Sequence, residues 1–203
     1  MVNTANGSFI PVRETRWPGR APSGTLLPMD AAELTRLQNE GARLKFLFFW
    51  GHQTPGPGYL SQWWPSPFTL EGTTYATAEH FMMAEKARLF GDEETASAII
   101  AATHPRRAKD LGRRVRDFDE QRWRDNRVAI VTRGSEAKFG QNKDLRDYLL
   151  GTGDRILVEA SPLDRIWGIG LTADDPRAEQ VSSWRGENLL GFALMTARES
   201  LAS

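Results

Sequence analysis

The segment Thr77-Ala-Glu-His-Phe-Met-Met-Ala-Glu-Lys-Ala87 places a carboxylate, Glu79, and an amine, Lys86, seven residues apart. On a helix that spacing turns through about 700°, some 20° short of two full turns, and rises roughly 10 Å. Both groups then lie on one stripe, where long side chains can converge over a small ligand. A carboxylate that moves protons and a lysine that attacks a carbonyl carbon make a usable catalytic pair. Taken alone, the same spacing is better read as a solvated acid and base, so the rest of the chain must decide.

Other chemistries are poorly served. The chain has no cysteine, which removes thiolate nucleophiles, disulfides and Cys-based metal sites. Its three histidines, His52, His80 and His104, do not fall at the spacing of a zinc-protease helix, and no metal is expected. No G-x-x-x-x-G-K-[ST] phosphate loop and no G-x-S-x-G elbow occurs. Gly151-Thr-Gly153 and Gly168-Ile-Gly170 each lack the third glycine of a dinucleotide fingerprint. Seven tryptophans are an unusual supply. Most suit core packing; Trp167, in a tight Gly loop, suits equally a flat wall on which a base stacks. Arg106, Arg107, Lys109, Arg113, Arg114 and Arg116 spread over more than one helix face. That is a solvated surface from which one or two can reach a phosphate.

Elements must position these groups. Asp30 can cap a helix from Ala31 to about Arg43, and Lys45 to Trp50 is an apolar strand. Phe68 to Tyr75 reads as a hairpin turning at Glu71-Gly72. Thr77 can cap a helix to about Leu89, with Glu79 in its first turn. Asp92, the Thr103-His-Pro105 segment, Asp119 and Asn142 open four more, and Trp123, Val128, Ile130 and Val131 are the core candidates of the long third one. Arg155 to Ala160 is a second strand, Ser161 to Asp175 a loop, and Glu187 to Leu201 a closing helix. The pattern is α+β, mainly helical with a small sheet. Residues 1–28, rich in Gly, Pro, Ser, Thr and Arg, read as a loose arm before a single domain over 29–203.

Of 203 residues, 26 are basic and 26 acidic, so the net charge is zero. A general phosphate-driven nucleic-acid binder would carry a basic excess; an enzyme recognising one nucleotide in a pocket need not. No apolar run approaches the ~20 residues of a membrane span, and no secretory signal is visible, so a cytoplasmic location is expected.

Several strings together resemble one family: Phe48-Phe49-Trp50, Leu60-Ser61-Gln62-Trp-Trp-Pro-Ser-Pro-Phe68, Thr77-Ala-Glu79-His80-Phe81 with Lys86, Leu111-Gly-Arg113 and Trp123. Lys138-Phe139, Leu157-Val-Glu-Ala-Ser161, Asp164-Arg-Ile-Trp167-Gly168-Ile-Gly170-Leu171 and Asn188-Leu-Leu-Gly191 follow in order. The chain is similar to the YbiA-like or NADAR proteins over roughly residues 45–201. It departs at Gln62, where the family often has Asn; the longer arm places its amide differently.

The resemblance implies an N-glycosidase of the YbiA-like fold without a cofactor. One branch removes ADP-ribose from guanine, in nucleosides or nucleic acid, through a lysine Schiff base; another acts on ribosylamino-pyrimidine intermediates of riboflavin synthesis. The matching catalytic residues are Glu79 and Lys86. Phe49, Trp50, Ser61, Gln62, Gly168 and Gly170 match substrate-binding strings. Trp123 and Trp167 would flank the base or ribose, and Asp164 and Asn188 would bind sugar hydroxyls or fix loop geometry. The implied partner is an ADP-ribosyl or ribosyl-phosphate nucleotide, free or in nucleic acid, and no membrane. A non-catalytic module binding NAD or ADP-ribose would use the same aromatic walls.

Overall fold

A computed structural model describes residues 30–203, so the expected arm over residues 1–28 lies outside the described residues. The architecture is α+β and about half helical. In order come α1 (Ala31–Asn39), β1 (Phe46–Phe49), the hairpin strands β2 (Phe68–Leu70) and β3 (Thr73–Tyr75), then α2 (Ala78–Leu89), α3 (Glu93–Ile100), α4 (Pro105–Gly112), α5 (Glu120–Gln141) and α6 (Lys143–Gly151). Strand β4 (Ile156–Glu159) and helix α7 (Leu189–Ala202) close the chain.

Caps explain most helix starts. Asp30, Thr77, Asp92 and Asp119 each accept a hydrogen bond from the third backbone N–H ahead, satisfying a donor the helix leaves open. His104 does the same for Arg106, with Pro105 in the first helical position. Asn142 does not: α6 starts after it, but its amide donates backward to the Lys138 and Pro67 carbonyls. Helix α1 stops at Asn39, short of Arg43, because the chain turns at Gly41 with φ 85°. The hairpin turns where expected, with Glu71 (φ 49°) and Gly72 (φ 77°) both left-handed, the twist that two-residue hairpins need.

Helix α2 is the centre of the fold. It is buried on almost every side, Ala78 through Ala84 without interruption, and packs on α3, α4 and α5. Its sequence has no polar face because it has no solvent face. Helix α5 supports it through Trp123, Val131 and Phe139; Val128 falls on the outer side and is 38% exposed, contrary to expectation. Gly134 of α5 lies under Phe81, where a Cβ would come within 2.5 Å of the ring.

Strands β1 and β4 pair in parallel, Phe46 with Ile156 through Phe49 with Glu159. Such a pair needs a long crossover, and the intervening helices supply it. Helix α7 packs on both β4 and α5. The carboxyl ends of β1 and β4 therefore open toward the start of α2, where the loops leave a cavity.

Candidate active site

The cavity is about 260 Å³ and is walled by α2, α4 and the loops after the Pro57–Leu60 turn and after β4. Three buried polar atoms among its lining residues have no hydrogen-bond partner: Gln62 Nε2, Glu79 Oε1 and Glu159 Oε2. Buried polar atoms are nearly always paired, so three orphans in one cavity mark a place where a ligand completes the bonding. Glu79 is only 3% exposed, and burial pushes its carboxyl up to about 7, while the Lys109 charge and the Trp63 side chain pull it down. Glu159 is pushed up to about 8, first by burial and then by the Asp164 and Glu79 charges; Lys109 opposes. First-turn placement on α2 would favour an anionic Glu79, but burial outweighs it.

Gln62 is tied to the same corner, since its backbone carbonyl accepts from the Glu79 N–H at 2.9 Å. Its loop is fixed from below by Lys138, fully buried on α5, which donates to the Tyr59 and Ser61 carbonyls at 2.6 and 2.7 Å. Ser61 lines the cavity and its Oγ accepts from the Trp63 N–H.

Lys86 stands further along the α2 stripe. Its Nζ donates to the Gly112 carbonyl at 2.9 Å and lies 4.2 Å from the Phe118 ring centre and 5.6 Å from that of Trp123. Burial lowers its pKa, against the Glu120 charge. The rings favour the ammonium form as well, so the apolar surroundings do not act alone. Met82 and Met83 line the cavity between Glu79 and Lys86; Phe90 packs against Phe118 and so backs the lysine's aromatic shelf. Lys109 and Arg113 bring positive charge to the opposite wall, which makes them the two members of the basic cluster that face the cavity.

The family model described as "NADAR domain" matches residues 48–202. The chain belongs to the NADAR domain family. It is 44% identical over 162 residues to an N-glycosidase of Acanthamoeba polyphaga mimivirus, covering 76% of this chain and 95% of that protein. It is 32% identical over 144 residues to a riboflavin biosynthesis protein of Vibrio vulnificus, covering 71% of this chain but only 35% of that one. The NMR structure of the E. coli protein YbiA superimposes with a TM-score of 0.64 at 30% identity, covering 78% of this chain and 85% of that chain.

In this NADAR domain the cavity gathers Ser61, Gln62, Glu79, Lys86, Asp164 and Trp167 from the residues expected of a site. Asp164 also fixes its loop: Oδ1 accepts from the Ile166 and Trp167 N–H groups at 2.9 and 2.8 Å, which sets Trp167 at the wall. The other six expected residues stand elsewhere. Phe49 is buried in the core at the end of β1, and Trp50, next along the strand, turns outward and is 63% exposed. Trp123 is buried behind Lys86 rather than at the cavity wall. Asn188 is completely buried, its Oδ1 accepting from Glu159 N–H and its Nδ2 donating to the Leu157 carbonyl. A Cβ on Gly168 would lie 2.7 Å from the Glu159 carbonyl, so this glycine lets the loop close onto β4. Gly170 supplies a left-handed turn, φ 67°.

Glu159 lines the cavity without having been expected as a site residue; Trp63 stands there too, with Lys109 and Arg113 from the basic cluster expected to reach a phosphate. Glu159 did carry a signal: a carboxylate ending the apolar run Ile156-Leu-Val is expensive to bury unless it serves something. No group of three or more metal-ligating side chains occurs among the described residues. No described helix is long and apolar enough to cross a membrane.

Proposed function

We propose that this protein is an N-glycosidase that breaks the bond between a ribose C1 and a base nitrogen, most concretely by removing ADP-ribose from guanine. The observation that carries the reading is the cavity itself, with unpaired carboxyl oxygens at one end and the half-buried Lys86 amine along the same helix. Relatives named as an N-glycosidase and as a riboflavin biosynthesis protein support ribosyl chemistry.

In the proposed reaction Glu79, whose carboxyl burial raises to about 7, gives a proton from its acid form to the ring oxygen O4′. The C1–O4′ bond breaks with its electron pair on oxygen, and C1 becomes doubly bonded to the base nitrogen. The Lys86 amine, neutral for the step, adds to C1. The base leaves with the electron pair of its C1–N bond and takes up the proton that the lysine nitrogen sheds. Water then adds to the Lys86 imine and releases the ribose. Trp63 and Trp167 offer faces for stacking, and Lys109 and Arg113 take a phosphate.

A second reading rests on the cavity's size. At about 260 Å³ it sits below the usual range for ligand pockets and suits one ribose with its attachments. Ribosylamino-pyrimidine phosphates of riboflavin synthesis would fit with little outside, whereas the adenosine of ADP-ribose would lie along the surface. Incubation with ADP-ribosylated guanosine and with ribosylaminopyrimidine phosphate, with released bases identified by mass spectrometry, separates the two. Binding of ADP-ribose with no base released from either would instead make the domain a binding module.

A further inference from the structure

We infer that Glu159 is a second catalytic carboxyl, acting with Glu79 as one acid–base unit that holds a single proton between the two. This rests on the N-glycosidase reading and names a residue and a role beyond it.

The geometry comes from two unrelated elements. Glu79 enters from the first turn of α2, and Glu159 from the carboxyl end of β4, the end of a parallel strand where ligands are usually met. Each has a buried oxygen with no partner, and both line the same cavity. A carboxylate retained only for structure would have its oxygens bonded. The backbone of Glu159, by contrast, is fully engaged. Its N–H donates to Asn188 Oδ1 at 3.0 Å, and its carbonyl accepts from the Ile169 N–H at 2.9 Å. Gly168 lies close enough over that carbonyl to exclude any side chain. The main chain is clamped, and the side chain is left free to face the cavity.

Two anions cannot share so dry a space, and two neutral acids would have no base. The charged groups that face the pair are Lys109 and Arg113 from α4 and its end, Asp164 from the loop after β4, and Lys86 further along α2. Lys109 lowers both carboxyls while each burial raises them, which leaves the pair poised near neutrality. The Glu79 charge raises the Glu159 carboxyl, which couples the two across the cavity.

The pair closes the proton balance of the reaction. The protonated member gives its proton to O4′ as the C1–O4′ bond breaks. The ionised member takes a proton from the water whose oxygen adds to C1 of the Lys86 imine. One water is consumed, one proton has entered the unit and one has left, and transfer between the two carboxyls restores the starting state. Activity then requires the singly protonated pair and falls away on both sides of neutral pH.

The test uses the full chain carrying ¹³C-carboxyl glutamate, titrated by NMR, beside the base-release assay. In the native protein the Glu79 and Glu159 signals should move together in two steps. In Glu79→Gln the Glu159 midpoint should drop, because the Glu79 charge that raises it is gone, and in Glu159→Gln base release should fall about 100-fold or more, the usual worth of an acid–base group. An unmoved Glu159 midpoint in Glu79→Gln, or base release by Glu159→Gln within a few-fold of native, overturns the inference. Should Glu159→Gln fail to fold, the Glu159 signal in Glu79→Gln still reads the coupling and decides the matter. Absence of base release from the native protein with coupled titration present would instead count against the N-glycosidase reading and leave the pair standing.

Discussion

Asn188 holds Glu159 by its backbone: Asn188 Oδ1 accepts from the Glu159 N–H and Nδ2 donates to the Leu157 carbonyl, each at 3.0 Å. Asn188 itself sits in the left-handed region, φ 53°, at the entrance to α7, and Gly191 leaves room for its amide. The last helix and the last strand are thus locked at the residue whose side chain faces the cavity. Asn188→Ala removes both bonds and puts an alanine in a conformation it adopts reluctantly. We expect a loss of roughly 2–4 kcal/mol in urea unfolding, with catalysis impaired in the fraction that folds. Asn188→Asp, which still accepts from Glu159 but cannot donate to Leu157, should fall between the two.

Helix α4 meets α2 at Gly112, where a Cβ would lie 2.2 Å from Met83 Sδ and 2.9 Å from its Cγ. The same residue's carbonyl accepts from Lys86. Gly112→Ala must push α4 and Met83 apart and carry that carbonyl with it. A destabilisation of about 1–3 kcal/mol is expected, measured by thermal or urea unfolding, together with weakened turnover. Native stability in this variant would mean that Met83 simply turns aside.

Most of the fold was legible because its determinants are local. Asp30, Thr77, Asp92 and Asp119 announce helices by residue type, and Glu71-Gly72 announces its turn. Asn142 does mark the start of α6, but its amide makes no cap bond, because tertiary packing brings the Lys138 and Pro67 carbonyls to it. The site was half legible. Glu79 and Lys86 share a helix, so spacing placed them on one side; Glu159 comes to the same cavity only through the pairing of β4 with β1, which no local pattern reveals. Gly168 and Asn188 stand in two strings that resemble binding motifs, yet their contacts are with the backbone of β4. A motif records that residues are needed together, not which of them touches the ligand.

Lys138 offers a pH test of the scaffold. Burial pushes its amine down to about 7, from 10.5 when exposed. Between those values the unfolded chain binds more protons than the folded one, so this residue's contribution to stability improves as pH rises and is least favourable below about 7. The unfolding free energy of the native protein minus that of Lys138→Met should therefore climb from pH 7 toward pH 10, by up to about 1.4 kcal/mol per pH unit. A flat difference would place the lysine's titration outside that window. The variant also frees the Tyr59 and Ser61 carbonyls, so a loosened Gln62 should raise KM.

Lys109 lines the cavity, lowers both carboxyls, and in the proposed reaction takes a phosphate. Lys109→Ala should raise KM for a phosphorylated ribosyl substrate about 10-fold, the scale of one charge-assisted bond, and much less for the dephosphorylated nucleoside. Removing its positive charge raises both carboxyls, so the pH–activity profile should shift to higher pH. Equal losses on both substrates would assign Lys109 to the proton chemistry alone.

The most direct measurement is borohydride trapping. ADP-ribosylated guanosine is incubated with the native protein, with and without sodium borohydride, and both protein and small molecules are analysed by mass spectrometry. The account predicts guanosine release in the untreated sample and, in the treated one, a reduced ribosyl adduct on the peptide carrying Lys86, absent from Lys86→Ala. Guanosine release with no adduct, and unchanged release in Lys86→Ala, would contradict it and leave hydrolysis to the carboxyls and water alone.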